Sequence, residues 1–229
     1  MYVYDRLLER KVRRRGTPDH VAVVTSGSDL LDGGFETVSD LLGWSSDLGV
    51  ERVSLYVSIP EGTSDSDSNP ASDPDPDPDP DSVPDSDRLH DGFGTLETDG
   101  ISIDFVSRHA DEVDTETRET DGTELDVRVS LGLGGRNEFV GALRQMAREV
   151  EDDELDPDDV DEETIERHLV FKGEPDMMIT GNDRLSDFMI WQSVYTELYF
   201  ADFSWDSLRK RDLLRAFREF QDRERRYGK

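Results

Sequence analysis

Residues 175–200, PDMMITGNDRLSDFMIWQSVYTELYF, form the densest apolar and aromatic run of this 229-residue chain. The run begins like a buried strand, breaks at residues 180–183 and then continues with helical spacing. A strand, a short polar turn and a helix start together predict an anion site, because free backbone N–H groups and the helix dipole point at one spot. Arg184 lies at that turn, and Glu197 follows further along. The alternative, from spacing alone, is a core strand-loop-helix with solvated polar residues.

The composition excludes several classes of protein. No cysteine is present, so the chain has no disulfide framework, thiolate metal site or cysteine nucleophile. Four histidines are too few to indicate a histidine-rich metal site. No apolar run reaches the roughly 18 residues of a membrane-spanning helix, and the basic residues 1–16 lack the apolar segment of a secretory signal. We therefore expect a cytoplasmic protein.

The formal net charge is −29, from 55 acidic and 26 basic side chains. Self-repulsion of this size weakens a compact state at low ionic strength. At about 1 M salt the Debye length is about 3 Å, and the repulsion is largely screened. Because the acidic residues are spread along most of the chain, we interpret them as an adaptation to a high-salt cytoplasm. Binding of a basic partner is the alternative.

The basic residues are concentrated at the two ends of the chain. Six lie in residues 1–15 and nine in residues 208–229. Solvated amphipathic helices explain most of these side chains. The alternative is a surface for an anionic ligand or for peripheral contact with a membrane. Nucleic acid is not expected as a partner at this overall charge.

The chain alternates predicted strands and helices. The predicted strands include residues 20–24, 53–59, 101–106 and Leu125–Leu131, and the predicted helices are Tyr2–Arg15, Phe35–Leu48, 138–150, 164–171 and 207–225. Residues 25–34, rich in Gly, Ser and Asp, are predicted as a turn. This order predicts one α/β domain over residues 1–229, with a central parallel sheet, right-handed crossovers and flanking helices.

Residues 62–87 interrupt this pattern with nine aspartates, a DPDPDPDP tract and no lysine or arginine. Proline blocks helix and ladder hydrogen bonds, and the like charges repel, so we expect a disordered, solvated insertion within the domain. A second acidic stretch, residues 151–163, is predicted as a loop.

Five stretches carry a common set of motifs: PDHVAVV at 18–24, LGVERVSLY at 48–56, GGRNE at 134–138, the run at 175–200, and FQDRERRYG at 220–228. Together they resemble the cis-prenyltransferases, the undecaprenyl and dehydrodolichyl diphosphate synthases. RLSDFMIWQSVYTELYF and RERRYG are the most specific of these matches. The resemblance implies an elongated apolar tunnel, dimerisation, and Mg²⁺-dependent condensation of isopentenyl diphosphate onto an allylic diphosphate in cis geometry.

The loop after the first strand departs from the family pattern. Where the family has Met-Asp-Gly-Asn-Gly-Arg, residues 25–30 are TSGSDL. Ser26 stands where the catalytic, metal-directing aspartate belongs, and a neutral hydroxyl cannot supply the charge that holds Mg²⁺ against a diphosphate. Gly27 keeps the glycine of the motif, which implies a substrate contact. Ser28 replaces the asparagine that the resemblance associates with proton removal.

The expected diphosphate contacts are reduced as well. Only 21 residues separate Ser26 from Leu48, and the basic segment that the family carries there is absent. The family turn Ile-Arg-Thr-x-Gly-Glu-x-Arg-Leu-Ser is two residues shorter here and lacks its first arginine. Arg184 matches the second arginine, which implies contact with isopentenyl diphosphate. Glu197 matches the glutamate that joins the metal site.

The C-terminal segment keeps its motif. Arg226, Tyr227 and Gly228 match the Arg-x-Gly of the family, which by resemblance reaches across a dimer to the diphosphate in the partner's site. A frayed basic terminus is the alternative.

Three functional hypotheses follow. The first is a degenerate accessory subunit that donates Arg226 and Gly228 to a catalytic cis-prenyltransferase in a homo- or heterodimer. The second is a self-sufficient synthase in which Asp29 or Asp32 rebuilds a metal site with Glu197. The third is a non-enzymatic isoprenoid- or diphosphate-binding protein, which would need an apolar cavity open under the sheet.

Overall fold

A seven-stranded sheet organises the computed structural model, which describes residues 2–59, 85–96, 101–109, 112–118, 125–181, 188–201 and 205–227. The strands are β1 (His20–Ser26), β2 (Arg52–Ser58), β3 (Ile101–His109), β4 (Glu112–Arg118), β5 (Leu125–Leu131), β6 (Met177–Thr180) and β7 (Glu197–Phe200). Their order is β4-β3-β5-β2-β1-β6-β7. Six of them are parallel, and β4 pairs antiparallel with β3 at one edge. The predicted α/β class with a central parallel sheet is confirmed.

Helices cover both faces of the sheet. They are α1 (Tyr2–Arg15), α2 (Gly27–Asp29), α3 (Phe35–Leu48), α4 (Asp85–Gly94), α5 (Gly135–Glu151), α6 (Glu162–His168) and α7 (Lys210–Tyr227), with a π turn at Leu30–Gly34 and 3-10 turns at Pro157–Asp159 and Trp205–Ser207. Apolar residues of α1, α3, α4 and α7 form one core with the sheet. A smaller core on the opposite face includes Leu133, Phe171 and Phe188. None of the described helices is long and apolar enough to cross a bilayer.

Strand β1 lies inside the sheet and leads directly into the loop after Ser26. Its residues Val21, Ala22 and Val23 are at most 1% exposed, as expected for a parallel strand with both faces covered. It pairs with β2 on one side and β6 on the other. The loop that follows Ser26 therefore emerges between two neighbouring strand ends, where ligands bind in open α/β sheets.

The helix predicted after residues 180–183 is wrong for the part that the structure describes. Residues 188–195 form turns, with Ser193 N–H bonded to the Met189 carbonyl at 2.8 Å. The chain then enters β7, which pairs in parallel with β6. Strand β6 pairs with β1 on one side, and the backbone of Glu197–Phe200 forms hydrogen bonds with its other edge. This long-range pairing overrides the local helical spacing of the apolar residues.

Two further predictions need correction, and one strand was not predicted. The turn predicted at 25–34 is mostly helical, because α2 and the π turn lead directly into α3. The helix α4 begins at Asp85, inside the insertion predicted at 62–87, while residues 60–84 lie outside the described part of the chain. The polar strand β4 has no apolar alternation strong enough to be predicted, and it makes the sheet mixed rather than purely parallel.

A buried histidine opens β1. His20 is 6% exposed, and its Nε2 lies 2.9 Å from Ser54 Oγ. Burial, followed by the positive charge of Arg52, lowers the pKa of His20 from 6.5 to about 4. The imidazole is therefore neutral in the folded chain at neutral pH.

Acidification should destabilise the fold through this residue. Between pH 6.5 and 4 the unfolded chain binds a proton that folded His20 does not, so this contribution is intact above pH 6.5 and is lost as pH falls towards 4, by about 3 kcal/mol. Urea unfolding of the native chain and His20→Gln at both pH values isolates the effect from the carboxylates that both chains share. An equal loss in both chains would contradict the assignment.

Candidate functional site

The loop after β1 is closed by its own hydrogen bonds. Ser26 caps the following helix, and its Oγ accepts from the Asp29 backbone N–H at 3.2 Å. The same hydroxyl donates to Asp29 Oδ2 at 2.7 Å and lies 2.9 Å from Ser28 Oγ. The side chain at the position of the expected catalytic aspartate is thus used for local capping.

Helix α4 packs against the same loop. Gly27 is buried, and a Cβ placed on it would lie 3.0 Å from Leu89 Cδ1. A cavity of about 250 Å³ remains beside the loop, and its charged lining residues are Asp32 and Arg88. Arg88 could face an anion here, but the carboxylate of Asp32 opposes one. Among the described residues that line the cavity, one cation, Arg88, is opposed by one carboxylate, Asp32, which is fewer cations than a diphosphate needs.

Apolar side chains fill the described space beneath α4. Leu89 and Phe93 are fully buried in the same core as β1 and β2. The Phe93 ring packs edge-on against Phe35 and Phe105, with centroids 5.2 and 5.8 Å apart. An isoprenoid chain entering this region would have to displace these rings, which counts against the third hypothesis.

Glu197 lies at the opposite end of the sheet from Ser26. Glu197 is in register with Met177, and Met177 is in register with Val21 of β1. Ser26 lies five residues beyond Val21, or about 16 Å along the strand. Within one chain, the loop carboxylates and Glu197 therefore do not converge on one ion.

Arg223 of α7 neutralises Glu197. Its Nη1 lies 3.3 Å from Glu197 Oε2 and donates to the Leu198 carbonyl at 2.8 Å, while its Nη2 bonds Glu219 Oε1 at 2.5 Å. Burial has the largest single effect on Arg223 and by itself would lower the pKa of the guanidinium. The carboxylates of Glu197 and Glu219 together outweigh burial, so the pKa of Arg223 is raised. The contact fastens the C-terminal half of α7 to the edge strand β7.

The carboxylates of the described residues do not gather at one site of the kind that Mg²⁺, the metal implied by the resemblance, would occupy. No group of three His, Asp or Glu side chains suited to a metal ion occurs among the residues that the structure describes. Ser26 is neutral, and its hydroxyl already caps α2. Mg²⁺ takes oxygen ligands in near-octahedral arrangement, commonly one or two carboxylates completed by substrate phosphates and water. In the loop the carboxylates are Asp29 and Asp32, and Asp29 Oδ2 already accepts a hydrogen bond from Ser26 at 2.7 Å.

The other predicted contacts involve three residues near the edges of the described segments or beyond them. Arg184 and Gly228 lie outside the described residues. The backbone of Arg226 belongs to the last turn of α7, and its side chain is not among those described. The predicted diphosphate contacts through Arg184, Arg226 and Gly228 stay predictions.

A buried carboxyl group, missed by the sequence analysis, supports the turns at residues 188–195. Glu138 of α5 is 3% exposed, and its Oε1 accepts from the Phe171 backbone N–H at 2.7 Å and from Gln192 Nε2 at 3.4 Å. Gln192 Nε2 also donates to the Phe171 carbonyl at 2.8 Å. Burial raises the pKa of Glu138. This network connects α5 to the turns, and the sequence signals for it are the acidic residue in the first turn of α5 and its place at the end of the motif GGRNE.

An apolar surface lies beside this network. We call it the apolar patch and define it as Phe139, Val140, Leu143, Ile190, Trp191, Val194 and Tyr195. Phe139 stacks on Trp191 with ring centroids 5.7 Å apart, which joins its two segments. Val194 is 69% exposed and Tyr195 is 83% exposed. An exposed apolar cluster of this kind is typical of a contact site for a protein, a membrane or a ligand.

Comparison with known proteins gives a consistent result. Residues 95–228 match a family model described as "Putative undecaprenyl diphosphate synthase". A tritrans,polycis-undecaprenyl-diphosphate synthase (geranylgeranyl-diphosphate specific) of Methanopyrus kandleri is 34% identical over 99% of this chain and 90% of its own length. A protein of the same name from Haloarcula marismortui is 32% identical over 96% of this chain and 79% of its own length.

Solved structures show the same fold. Lavandulyl diphosphate synthase from Lavandula x intermedia, in complex with dimethylallyl diphosphate, superimposes with a TM-score of 0.62 at 24% identity, covering 90% of this chain and 95% of the other. A probable undecaprenyl diphosphate synthase from Campylobacter jejuni gives a TM-score of 0.61 at 23% identity, covering 93% and 100%.

Proposed function

Because the chain belongs to the undecaprenyl diphosphate synthase family of cis-prenyltransferases, we propose that it takes part in long-chain polyprenyl diphosphate synthesis. Its role is that of an accessory subunit, which pairs with a catalytic cis-prenyltransferase and donates its C-terminal Arg-x-Gly to that partner's site. The reaction joins isopentenyl diphosphate to an allylic diphosphate. Family membership supports the reaction class, and the features below support the division of roles.

The loop after β1 is the observation that carries this proposal. A catalytic site of this class needs an aspartate that directs the metal, and this chain has Ser26 in its place. The Ser26 hydroxyl is committed to Asp29, with contacts of 3.2 and 2.7 Å. Freeing this group would break the cap of α2 and still leave the position uncharged. The loop is therefore built for stability rather than for holding a metal-bound diphosphate.

The apolar patch supports a partner subunit. Ile190, Val194 and Tyr195 are each at least 48% exposed in the single chain. The Glu138–Gln192 hydrogen bonds hold the backbone beneath them, so the surface is preorganised for docking. Interfaces of stable complexes are enriched in such aromatic and aliphatic anchors. The same segment contains the family motif that we predicted as a dimer region.

Reconstitution with a catalytic partner tests the proposal. The chain is co-expressed with a homologue from the same organism that carries Asp-Gly-Asn-Gly-Arg, and incorporation of labelled isopentenyl diphosphate is measured with Mg²⁺ at high salt. Geranylgeranyl diphosphate is the allylic substrate to use, because the archaeal relatives are named as specific for it. We expect no turnover by this chain alone and at least about tenfold faster turnover by the complex than by the partner alone.

A self-sufficient synthase is the second candidate. The names of the archaeal relatives favour it, because they describe synthases without mention of a second subunit. Turnover by the purified chain alone would support this candidate and contradict the accessory role. A stable complex whose rate equals that of the partner alone would also contradict the accessory role.

A further inference from the structure

The outward face of α1 combines four exposed side chains at helical spacing. Leu7, Arg10, Lys11 and Arg14 stand at positions i, i+3, i+4 and i+7 and are all exposed, so they form one stripe. Leu8 and Val12 lie in the core and fix the orientation of the helix. Leu7 is 54% exposed and lies at the N-terminal end of the stripe. We call this stripe the α1 basic face.

Within the described part of the chain, the cations of the α1 basic face have no partner, although the chain is strongly acidic overall. Among the described residues, Arg10, Lys11 and Arg14 have no ion pair or side-chain hydrogen bond. The adjoining carboxylate, Glu9, is already neutralised, with its Oε1 2.9 Å from Arg13 Nη2 and 3.6 Å from Lys210 Nζ. In a chain of net charge −29, leaving these guanidinium groups unpaired indicates an external anion.

The two basic ends of the chain come together on this side of the molecule. Gln221 of α7 donates to the Val12 carbonyl at 3.0 Å, and Arg15 pairs with Asp222 at 3.1 Å. The α7 cations Arg215 and Arg218 are each paired with a carboxylate of their own helix. The docked α7 therefore supports α1, the charges of Arg215 and Arg218 are already paired, and we take α1 as the contact surface.

We propose that the α1 basic face binds an anionic membrane surface, with its cations on lipid phosphates and Leu7 in the interfacial layer. A shallow concavity of about 360 Å³ between Arg6, Glu9, Arg10, Arg13 and Arg14 offers space for a phosphate headgroup. Arginine binds phosphate oxygens in a bidentate manner, and an exposed leucine among cations is typical of helices that lie in a membrane interface. The choice of a membrane also rests on the proposed function, whose product is a lipid.

The salt concentration determines how much electrostatic attraction and how much apolar burial contribute to this contact. At about 1 M salt the Debye length is about 3 Å, so attraction acts only at direct contact. The burial of Leu7 is not weakened by salt in this way. We therefore expect membrane binding to persist at high salt, with Leu7 contributing a larger part of the binding free energy. Duplex nucleic acid offers phosphates but no apolar layer for Leu7, so binding to it should be lost at high salt.

Flotation with lipid vesicles tests the proposal. Vesicles of phosphatidylglycerol and phosphatidylcholine, and vesicles of phosphatidylcholine alone, are mixed with the full chain at about 0.5 and 1 M KCl. Arg10→Glu/Arg14→Glu should weaken binding to the anionic vesicles at least tenfold, and Leu7→Ser should weaken it most at the higher salt. Arg144→Glu/Arg148→Glu, an exposed i, i+4 pair on α5, is the control for the same change in charge and should stay within twofold of the native chain.

Several outcomes would overturn the proposal. Equal binding to both vesicle types, or equal loss in the two double variants of unchanged melting temperature, would exclude a specific α1 contact. Tighter binding to duplex DNA than to anionic vesicles, lost in Arg10→Glu/Arg14→Glu, would assign the face to nucleic acid. Turnover of the reconstituted complex without vesicles should be unchanged in this variant, so failure here is distinguishable from failure of the accessory role.

Discussion

Replacing Arg226 with alanine in this chain is expected to slow the reconstituted complex by roughly 10- to 150-fold, which corresponds to about 1.5–3 kcal/mol for a charge-assisted hydrogen bond to a diphosphate. In the proposed role the C-terminal tail of this chain enters the catalytic partner's site, so Arg226→Ala removes a contact with the diphosphate that reacts there. Isopentenyl diphosphate incorporation by the purified complex measures the effect. An unchanged rate would end the accessory-subunit proposal.

Two controls make this experiment specific. Arg225→Ala removes a neighbouring cation outside the Arg-x-Gly motif and should change the rate less than about twofold. Alanine at the matching arginine of the catalytic partner should also have little effect, because that tail would enter the site of this chain, which has Ser26. If the partner's own tail proves to be the critical one, the direction of donation is the reverse of the proposal.

Changing Val194 to aspartate should dissociate the complex. Val194 is 69% exposed in the single chain and belongs to the apolar patch, so a carboxylate there costs little until the partner covers it. Burial of an unpaired charge at an interface should then weaken association at least about 100-fold, or about 3 kcal/mol. Sedimentation velocity over a range of concentrations, at fixed high salt, measures the dissociation constant.

The matched control for this change is Val160→Asp. Val160 is also an exposed valine, 40% exposed, but it lies next to the 3-10 turn Pro157–Asp159, outside the apolar patch. It adds the same charge and should leave association within about threefold of the native value. Equal weakening by the two variants would show that added charge, rather than the patch, controls assembly.

Much of the sheet could be predicted from local sequence. The β-branched run at Val21–Val24 and the segment Leu125–Leu131 carry enough apolar pattern to identify buried strands. Ser26 could likewise be predicted at the loop because the flanking motif is intact. The turns at residues 188–195 could not be predicted, because a helix and a series of turns before an edge strand give similar local patterns of apolar residues. Only the pairing of β7 with β6 distinguishes the two.

For the candidate site, too, some features follow from the sequence and others only from the tertiary structure. The sequence alone determined the residue types: a serine in place of an aspartate, a retained Arg-x-Gly, and cations concentrated at both ends of the chain. Only the tertiary structure decided where they lie. Strand register separates Ser26 from Glu197, and the docking of α7 on α1 brings the two basic ends together. The physical reason is that strand pairing and helix packing join residues far apart in sequence, and no local pattern encodes which of them will meet.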